Sequence, residues 1–395
     1  MTIDILLVFP GTLEALTKRG GGREDLLLRV AMVLSNSFNV IIIAPFFGKY
    51  RKTAKLFPNL IVENLYFPAS KEYPYSKNKF SNIISPLSIL LFYQVMALIK
   101  VIQLKKNGLR LVVLGDMCSG IVVAIVAKLL NIKTVYYEGN LTPWTEPGIF
   151  TRNNVSFIKV MWSTFNAIIG RTICKVTNAI IVNDGLIKSG MIKHGTEDGK
   201  IFIIRGGVDT DIFKPMKLIT SSKAEFTIGF IGRLTEEKGA PVLLKLCKAI
   251  VDKLPQVNFM IFGDGPYKKH FEPLPNVKHI GWVDHYTLPE RLSFIDVILS
   301  LQKTFGIGEI EALSCGKPII AFKIGEMLTL IKDGETGLLC QPEIGSVIEA
   351  LSKLMSDEVF LEKLSENARH EAITHYDWEI VGQRWKSIIE HVLRE

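Results

Sequence analysis

The feature that most constrains the fold is a regular alternation between short runs of apolar, β-branched residues and longer helical stretches. Several short runs are almost continuously apolar, which is typical of parallel strands covered on both faces. Strands that alternate with helices predict βαβ units in a doubly wound sheet. In the first half, the candidate strands are 3–9, 39–45, 110–116, 133–138, 179–184 and 200–205.

The same pattern begins again in the second half, which predicts a second α/β domain. Its candidate strands are 226–232, 257–263, 277–281, 296–300 and 317–322. The segment 208–223 is polar and contains Pro215, so we place the domain linker there. A chain of 395 residues is long enough for two domains. If the two domains face each other, ligands should bind in the cleft, at the carboxyl ends of the strands.

Composition narrows the functional classes. Hydrophobic residues make up 48% of the chain, so each half can form a core. The 5 cysteines include no C-x-x-C pair, which argues against a disulfide scaffold or a cysteine zinc site and indicates a reducing compartment. The net charge of +8 suits phosphate-bearing substrates or an anionic membrane face. It is too small to argue for nucleic acid, and no nucleic-acid motif is present.

Two apolar stretches bear on localisation. The N-terminal run carries Asp4 and lacks a basic segment, so we read a first strand rather than a signal peptide and expect a cytoplasmic protein. The uncharged stretch 80–99 contains too many polar residues for the roughly 20 apolar residues of a membrane span. We expect a helix over 83–106 that either packs inside its domain or rests on an anionic membrane surface. The basic residues beside it are Lys105, Lys106 and Arg110.

Four glycine-containing segments carry the candidate chemistry. The first is K-R-G-G-G-R-E-D (18–25), between the first strand and a helix. Glycine lets backbone N–H groups approach a phosphate, and the helix N-terminus favours negative charge. The segment matches neither G-x-G-x-x-G nor a P-loop, and a flexible turn is the alternative.

The second segment, G-F-I-G-R-L-T-E-E-K-G (229–239), places Arg233 and Lys238 after a strand. Two cations there suit a diphosphate leaving group, and two solvated surface charges are the alternative. The third segment, F-G-D-G-P-Y (262–267), is either a simple turn or a close approach to a flat ring such as a nucleobase.

The fourth segment, K-T-F-G-I-G-E-I-E-A-L-S-C-G-K-P-I-I-A (303–321), opens a helix with a glycine-rich loop. The helix N-terminus offers an anion site. The carboxylate of Glu311 can accept two hydroxyl hydrogen bonds, as a ribose would offer, and a solvated surface role is the alternative.

Together and in this order, these segments resemble the group 1 (family 4) nucleotide-sugar glycosyltransferases. The resemblance includes I-R-G-G-V-D-T-D-I-F-K-P (204–215) and K-D-G-E-T-G-L-L (332–339). It is strongest from 203 to 339 and weaker in the first half, where a variable acceptor would be recognised. It implies an α/β fold of two Rossmann-like doubly wound parallel-sheet domains facing a cleft, the GT-B fold. The implied divisions are 1–212 for the acceptor, 213–375 for the donor, and a helix 376–395 that returns to the first domain.

The resemblance also implies roles for individual residues. Arg233 and Lys238 would hold the donor diphosphate, and Glu311 would hold the ribose. The other implied donor contacts are Gly21 and Gly22 from the first domain, Asp264 and Gly265 at the base pocket, and the backbone of Gly306, Ile307 and Gly308. The family transfers a sugar from a nucleotide-diphosphate sugar with retention, to a glycan or lipid-linked hydroxyl. It needs no metal or protein nucleophile, and the histidines at 194, 270, 279 and 285 lack ligand spacing.

Three positions depart from the family pattern: Lys303 and Thr329 where it usually has Glu, and Glu138 where it often has His. The candidate catalytic residues are Arg233, Lys238 and Glu138. Lys303 and Glu309 are candidate donor-sugar contacts, and a cation at 303 would suit a sugar that carries an acidic group. Alternatively, Lys303 points to solvent and Glu309 or Glu326 supplies the carboxylate. A nucleotide-sugar epimerase of the same fold and a catalytically silent sugar-nucleotide-binding subunit remain alternatives.

Overall fold

A computed structural model describes residues 2–8, 22–46, 53–66, 81–115, 117–139, 157–216, 226–304 and 306–395. The chain divides into two compact units, the first comprising Met1–Gly206 with Val381–Glu395, and the second Gly207–Ile380. The observed boundary after Gly206 therefore lies before the boundary predicted at residue 212. The cause is tertiary packing, because the N–H of Val208 donates to the Tyr376 carbonyl at 2.7 Å and Phe213 is fully buried in the second unit. Residues 208–216 of the predicted linker are thus packed structure.

The first unit contains an eight-stranded sheet in the order β3-β4-β2-β1-β5-β6-β7-β8. Its strands are β1 Ile5–Val8, β2 Val40–Phe46, β3 Thr53–Phe57, β4 Leu60–Tyr66, β5 Leu111–Leu114, β6 Lys133–Glu138, β7 Ala179–Val182 and β8 Ile201–Ile203. All neighbours pair in parallel except β3 and β4, which form an antiparallel hairpin at the edge. This hairpin is not predicted by the sequence pattern.

The helices of the first unit are α1 Gly22–Leu34, α2 Ser81–Lys105, α3 Met117–Leu129, α4 Phe157–Val176 and α5 Gly185–Lys193. From β4 through β5 and β6 to β7, the chain advances across the sheet in one direction. Right-handed crossovers therefore place α2, α3 and α4 on one face, and α3 packs beside both of the others. None of the helices in the described ranges is long and apolar enough to span a membrane.

The second unit contains a six-stranded sheet, parallel throughout, in the order β11-β10-β9-β12-β13-β14. Its strands are β9 Phe226–Ile231, β10 Val257–Phe262, β11 Val277–Gly281, β12 Val297–Ser300, β13 Ile319–Phe322 and β14 Gly337–Cys340. The first five match predicted strands, and β14 was not predicted. Strand order reverses between the central strands β9 and β12, and the loops that follow such neighbouring strands form the usual ligand site of an open α/β sheet.

The helices that follow are α6 Ala240–Lys253, α7 Lys268–Phe271, α8 Leu288–Leu292, α9 Ile307–Ser314, α10 Met327–Leu330, α11 Ile344–Ser356, α12 Glu358–His375 and α13 Trp378–Arg394. The division between the units falls inside α13, at Val381. In the first unit, the ring centroids of Trp385 and Tyr137 lie 5.5 Å apart, and both side chains are buried. These observations confirm the predicted fold class, α/β with two doubly wound, mostly parallel sheets.

Candidate functional site

The second and fourth glycine segments follow β9 and β12, the two strands at which the order of the second sheet reverses. A Cβ atom built at Gly308 would lie 2.7 Å from the Ile231 side chain, so the first turn of α9 packs against the end of β9. The ammonium nitrogen of Lys238 lies 4.0 Å from the position that a Cβ of Gly306 would take. The fold thus brings Lys238 beside the N-terminus of α9, where backbone N–H groups of Ile307 and Gly308 are not used within the helix.

Glu309 holds this loop in place. Its side chain is buried, and one oxygen accepts hydrogen bonds from Ser300 Oγ at 2.9 Å and Gln302 Nε2 at 2.6 Å. The other oxygen accepts from the N–H of Gly306 at 2.9 Å, in the manner of a capping box. Glu309 therefore ties the end of β12 to the first turn of α9.

Arg233 projects from the loop after β9, and its side chain is 70% exposed. Its Nη2 atom lies 3.8 Å from Glu237 Oε2, a surface ion pair of a kind that contributes about 0–1 kcal/mol. This weak restraint leaves the guanidinium able to turn toward an anionic ligand.

The third segment shapes that same loop. Gly263 has φ of +139°, and a Cβ on it would lie 2.0 Å from the Gly232 carbonyl oxygen, so no side chain fits there. The N–H of Leu234 donates to the Asp264 carbonyl at 2.9 Å. The Asp264 carboxylate accepts from the N–H of Gly265 at 2.8 Å, which holds the pKa of this carboxyl below its ordinary value. In the structure, the segment fixes the loop that carries Arg233.

Glu311 lies on α9 with its side chain 6% exposed, and its Oε1 atom is 3.3 Å from His285 Nδ1. The His285 ring in turn lies 4.8 Å from the Phe213 ring, centroid to centroid. His285 was considered in the sequence only as a metal ligand, and no spacing relative to Glu311 could have revealed this contact. Phe213 comes from the predicted linker, so it was missed as well.

A half-buried guanidinium, that of Arg369, anchors this arrangement from α12. Arg369 donates to the carbonyls of Phe213 and Ser314 at 2.7 and 2.8 Å, and to the Thr210 carbonyl at 2.9 Å. Burial lowers the pKa of Arg369 from its ordinary value. The segment before the second sheet is thereby fastened to the C-terminal end of α9.

Two of the three departures from the family pattern lie on connected loops. The Lys303 carbonyl accepts from the N–H of Glu326 at 2.8 Å. Gly325, at φ of +54°, packs on the same carbonyl so closely that a Cβ would lie 2.1 Å away. The Thr329 hydroxyl lies 3.3 Å from Glu326 Oε2, and that carboxylate is buried, whereas the Lys303 side chain is exposed.

The third departure, Glu138, belongs to the first unit and stands at the carboxyl end of β6. It is 3% exposed and accepts a hydrogen bond from the Tyr136 hydroxyl. Of the predicted phosphate-binding glycines, Gly22 opens α1, whereas Gly21 lies outside the described residues.

Burial raises the pKa of the Cys174 and Cys315 thiols to about 12, so both stay protonated near neutral pH. Across the residues that the structure describes, no three His, Cys, Asp or Glu side chains cluster in a way that could hold a metal ion.

Comparison with known proteins gives a family match and similar structures. The family described as "Glycosyl transferases group 1" matches residues 215–371. The chain is 25% identical over 278 residues to a phosphatidylinositol N-acetylglucosaminyltransferase component from Arabidopsis thaliana, covering 68% of this chain and 58% of that protein. It is 28% identical over 273 residues to sulfoquinovosyl transferase SQD2 of the same plant, covering 64% and 51%. The matches thus span about half the length of these relatives.

Solved structures resemble the fold over nearly the whole chain. Sucrose-phosphate synthase from Thermosynechococcus elongatus has a TM-score of 0.76 at 16% identity and covers 99% of both chains. Anabaena Alr3699/HepE, solved with UDP-glucose, has a TM-score of 0.67 at 18% identity and covers 98% of this chain and 100% of its own. These likenesses confirm the GT-B fold, and the family match over residues 215–371 confirms the predicted resemblance to the group 1 glycosyltransferases.

Proposed function

We propose that the protein is a retaining glycosyltransferase of the hexosyltransferase type, which moves a sugar from a nucleotide-diphosphate sugar to an acceptor hydroxyl. The observation that carries the proposal is the position of Lys238 beside the N-terminus of α9, where the order of the second sheet reverses. The ammonium, the exposed Arg233 and the N–H groups of Ile307 and Gly308 form a cationic site that suits a diphosphate.

Departure of the nucleoside diphosphate places negative charge on its terminal phosphate. Glu309 holds the α9 N-terminus in place before reaction, with Lys238 beside it, so these groups stabilise that charge more than they stabilise the bound donor. The weakly restrained Arg233 turns toward the diphosphate when the donor binds. In the retaining mechanism implied by the resemblance, the acceptor hydroxyl attacks from the face that the diphosphate leaves. Glu311, oriented by His285, accepts the ribose hydroxyls.

Glu309 acts in this proposal as a positioning residue, since three donors already occupy its carboxylate. Lys303 is then the remaining candidate for the donor sugar. Its exposed cation suits a sugar with an acidic group, and the relative named sulfoquinovosyl transferase supports this choice, since sulfoquinovose carries a sulfonate. The test compares an acidic and a neutral nucleotide sugar on wild type and Lys303→Glu. An unchanged preference for the neutral donor would remove the acidic-sugar assignment.

The first unit is proposed to bind the acceptor, with Glu138 at the carboxyl edge of its sheet. A lipid-linked acceptor is favoured over a free glycan because one relative is named for phosphatidylinositol. We place the reaction in the cytoplasm, with peripheral contact to the membrane through residues 83–106.

The deciding experiment is a thermal-shift panel of nucleoside diphosphates and nucleotide sugars, followed by assays of turnover in the presence of EDTA. A ligand at 100 times its dissociation constant stabilises the fold by about 2.7 kcal/mol. We expect one nucleotide to stabilise the protein and its sugar to be transferred without metal. Release of free nucleotide with an epimerised sugar and no need for acceptor would indicate the epimerase, and binding without turnover would indicate the silent binding protein. Loss of activity in EDTA that Mg²⁺ restores would overturn the metal-free mechanism.

A further inference from the structure

The outer surface of α2 carries apolar side chains that the core does not use. Tyr93, Ala97 and Val101 face the core and are 0–2% exposed. On the opposite side, Leu91 and Val95 are 55% and 54% exposed. The sequence left open whether this helix packs inside its domain or rests on a membrane surface. The structure shows that one side of α2 packs on the core and that the opposite side exposes apolar side chains to solvent. Core packing explains only the inner side.

The neighbouring helices extend this apolar surface. On α3, Val122, Ile125 and Leu129 recur at helical spacing and are 36%, 40% and 79% exposed. On α4, Phe165 and Ile168 are 51% and 59% exposed. Because α3 packs between α2 and α4 on one face of the sheet, the exposed residues lie on three adjacent helices. Contiguous exposed apolar surface on a monomer marks an interaction site.

The charges on these helices have a single sign. None of the 25 residues of α2, the 13 of α3 or the 20 of α4 is acidic. Each helix carries a lysine in its last turn, and the three are Lys105, Lys128 and Lys175. The helices connect parallel strands and so run in the same direction, which brings these exposed lysines to one edge of the face. An apolar surface with a basic edge results.

We propose that the outer face of α2, α3 and α4 docks on an anionic membrane surface. The apolar side chains enter the boundary between headgroups and acyl chains, and the basic edge meets anionic headgroups, which is the chemistry of interfacial helices. Charge complementarity selects this occupant, since these helices offer no carboxylate that lipid phosphates would repel. The face would hold the first unit against the bilayer in which a lipid-linked acceptor resides. The docking itself does not depend on the proposed transfer reaction.

The test is flotation of the full chain with vesicles of phosphatidylcholine alone and of phosphatidylcholine with phosphatidylglycerol in equal parts. We expect binding to the anionic vesicles that falls by about tenfold or more when salt is raised, because exposed charges are screened. Val95→Glu with Ile125→Glu should reduce binding by about tenfold or more, since it places two charges in the apolar surface. Val359→Glu, a matched control at a residue 78% exposed in the second unit, should bind as wild type does.

Lys105→Gln with Lys128→Gln provides a second variant that leaves the apolar surface intact. It should weaken binding to anionic vesicles several-fold and leave any residual binding to neutral vesicles unchanged. Unaltered thermal unfolding and nucleotide stabilisation in all variants show that the fold and the donor site persist. Absence of binding to anionic vesicles at low salt would overturn the proposal. A concentration-dependent dimer that Val95→Glu with Ile125→Glu abolishes, without vesicle binding by wild type, would assign the face to a second copy.

Discussion

The outer helices of the two units differ although both units are built on parallel sheets. The first unit covers one face of its sheet with α2, α3 and α4, which contain no acidic residue. In the second unit, α12 alone carries Glu358, Glu362 and Glu366 at exposed positions. A parallel sheet requires an apolar inner side of each helix, but it leaves the outer side unconstrained. The composition of the outer side therefore reflects its surroundings. These are water for α12 and, in our proposal, lipid for α2, α3 and α4.

The loops show a second contrast. In the second unit, the loops after β9, β10 and β12 are fixed by backbone contacts at Gly263 and by the three hydrogen bonds of Glu309. In the first unit, the described part of the carboxyl edge presents Glu138 beside Tyr136. In our proposal, this contrast reflects a second unit that handles the donor and a first unit that handles the acceptor. Four single substitutions test it.

The largest expected effect is that of Lys238→Ala. Loss of a preorganised cation at developing negative charge should raise the barrier by about 3 kcal/mol, which is a fall in kcat of about a hundredfold or more. The measurement is kcat at saturating donor, with Lys245→Ala on the exposed side of α6 as the matched control. A near-normal rate in Lys238→Ala would remove the diphosphate role and with it the assignment of the donor to this loop.

Glu309→Gln should act on the fold of the donor site before it acts on chemistry. In the variant, an amide NH₂ replaces one of the two accepting oxygens, so it faces a hydrogen-bond donor and that hydrogen bond is lost. We therefore expect the free energy of unfolding to fall by about 1–3 kcal/mol. Urea unfolding measures this change, and Glu349→Gln, at an exposed position on α11, should stay within about 0.5 kcal/mol of wild type. Equal stability of the two variants would show that the carboxylate does not hold the Gly306 loop.

Glu138→Gln separates the two units functionally. The amide oxygen can still accept from Tyr136, so the fold should persist, whereas a charge next to the proposed acceptor is lost. We expect sugar transfer to fall by about tenfold, or about 1.4 kcal/mol, with nucleotide affinity unchanged. Transfer assays measure the loss of activity, and nucleotide thermal shifts on the same preparation measure the affinity for nucleotide. Weakened nucleotide binding with normal transfer would contradict the division of roles.

The smallest expected effect is that of His285→Ala, which tests whether His285 orients Glu311. Losing one hydrogen bond to a carboxylate should weaken nucleoside diphosphate binding by about fivefold, or about 1 kcal/mol. The discriminating readout is the ratio of affinities for ribo- and 2′-deoxyribonucleotide, which should fall toward one in His285→Ala and stay at the wild-type value in His270→Ala. If the affinities for the ribonucleotide and the 2′-deoxyribonucleotide fall equally, His285 supports the fold and does not position the ribose contact.

Several elements of the fold and site followed from local sequence. The apolar runs predicted β9, β10, β12 and β13, since a strand covered on both faces is largely apolar. The edge strand β11, V-K-H-I-G, was also predicted, although it is only partly buried. The glycine segments predicted that Arg233 and Lys238 would follow a strand and that Glu311 would lie on a helix opened by a glycine-rich loop, because strand–loop–helix succession is a property of neighbouring residues. The uncharged stretch 80–99 likewise predicted a helix. Its composition could not decide whether that helix packs inside its domain or rests on a membrane surface.

Other features required long-range packing, because they join residues that are distant in the chain. Arg369 donates a hydrogen bond to the carbonyl of Phe213, which lies 156 positions earlier in the chain. This contact explains why the first part of the predicted linker belongs to the second unit. The contact between His285 and Glu311 joins a short 3₁₀ helix to α9, and these elements are separate in the chain, so no spacing could reveal it. Local sequence was sufficient to predict two mostly parallel sheets and to propose which loops form the donor site. The packing of α2, α3 and α4 side by side was needed to show that their apolar residues form one exposed face, because exposure is set by what the rest of the chain leaves uncovered.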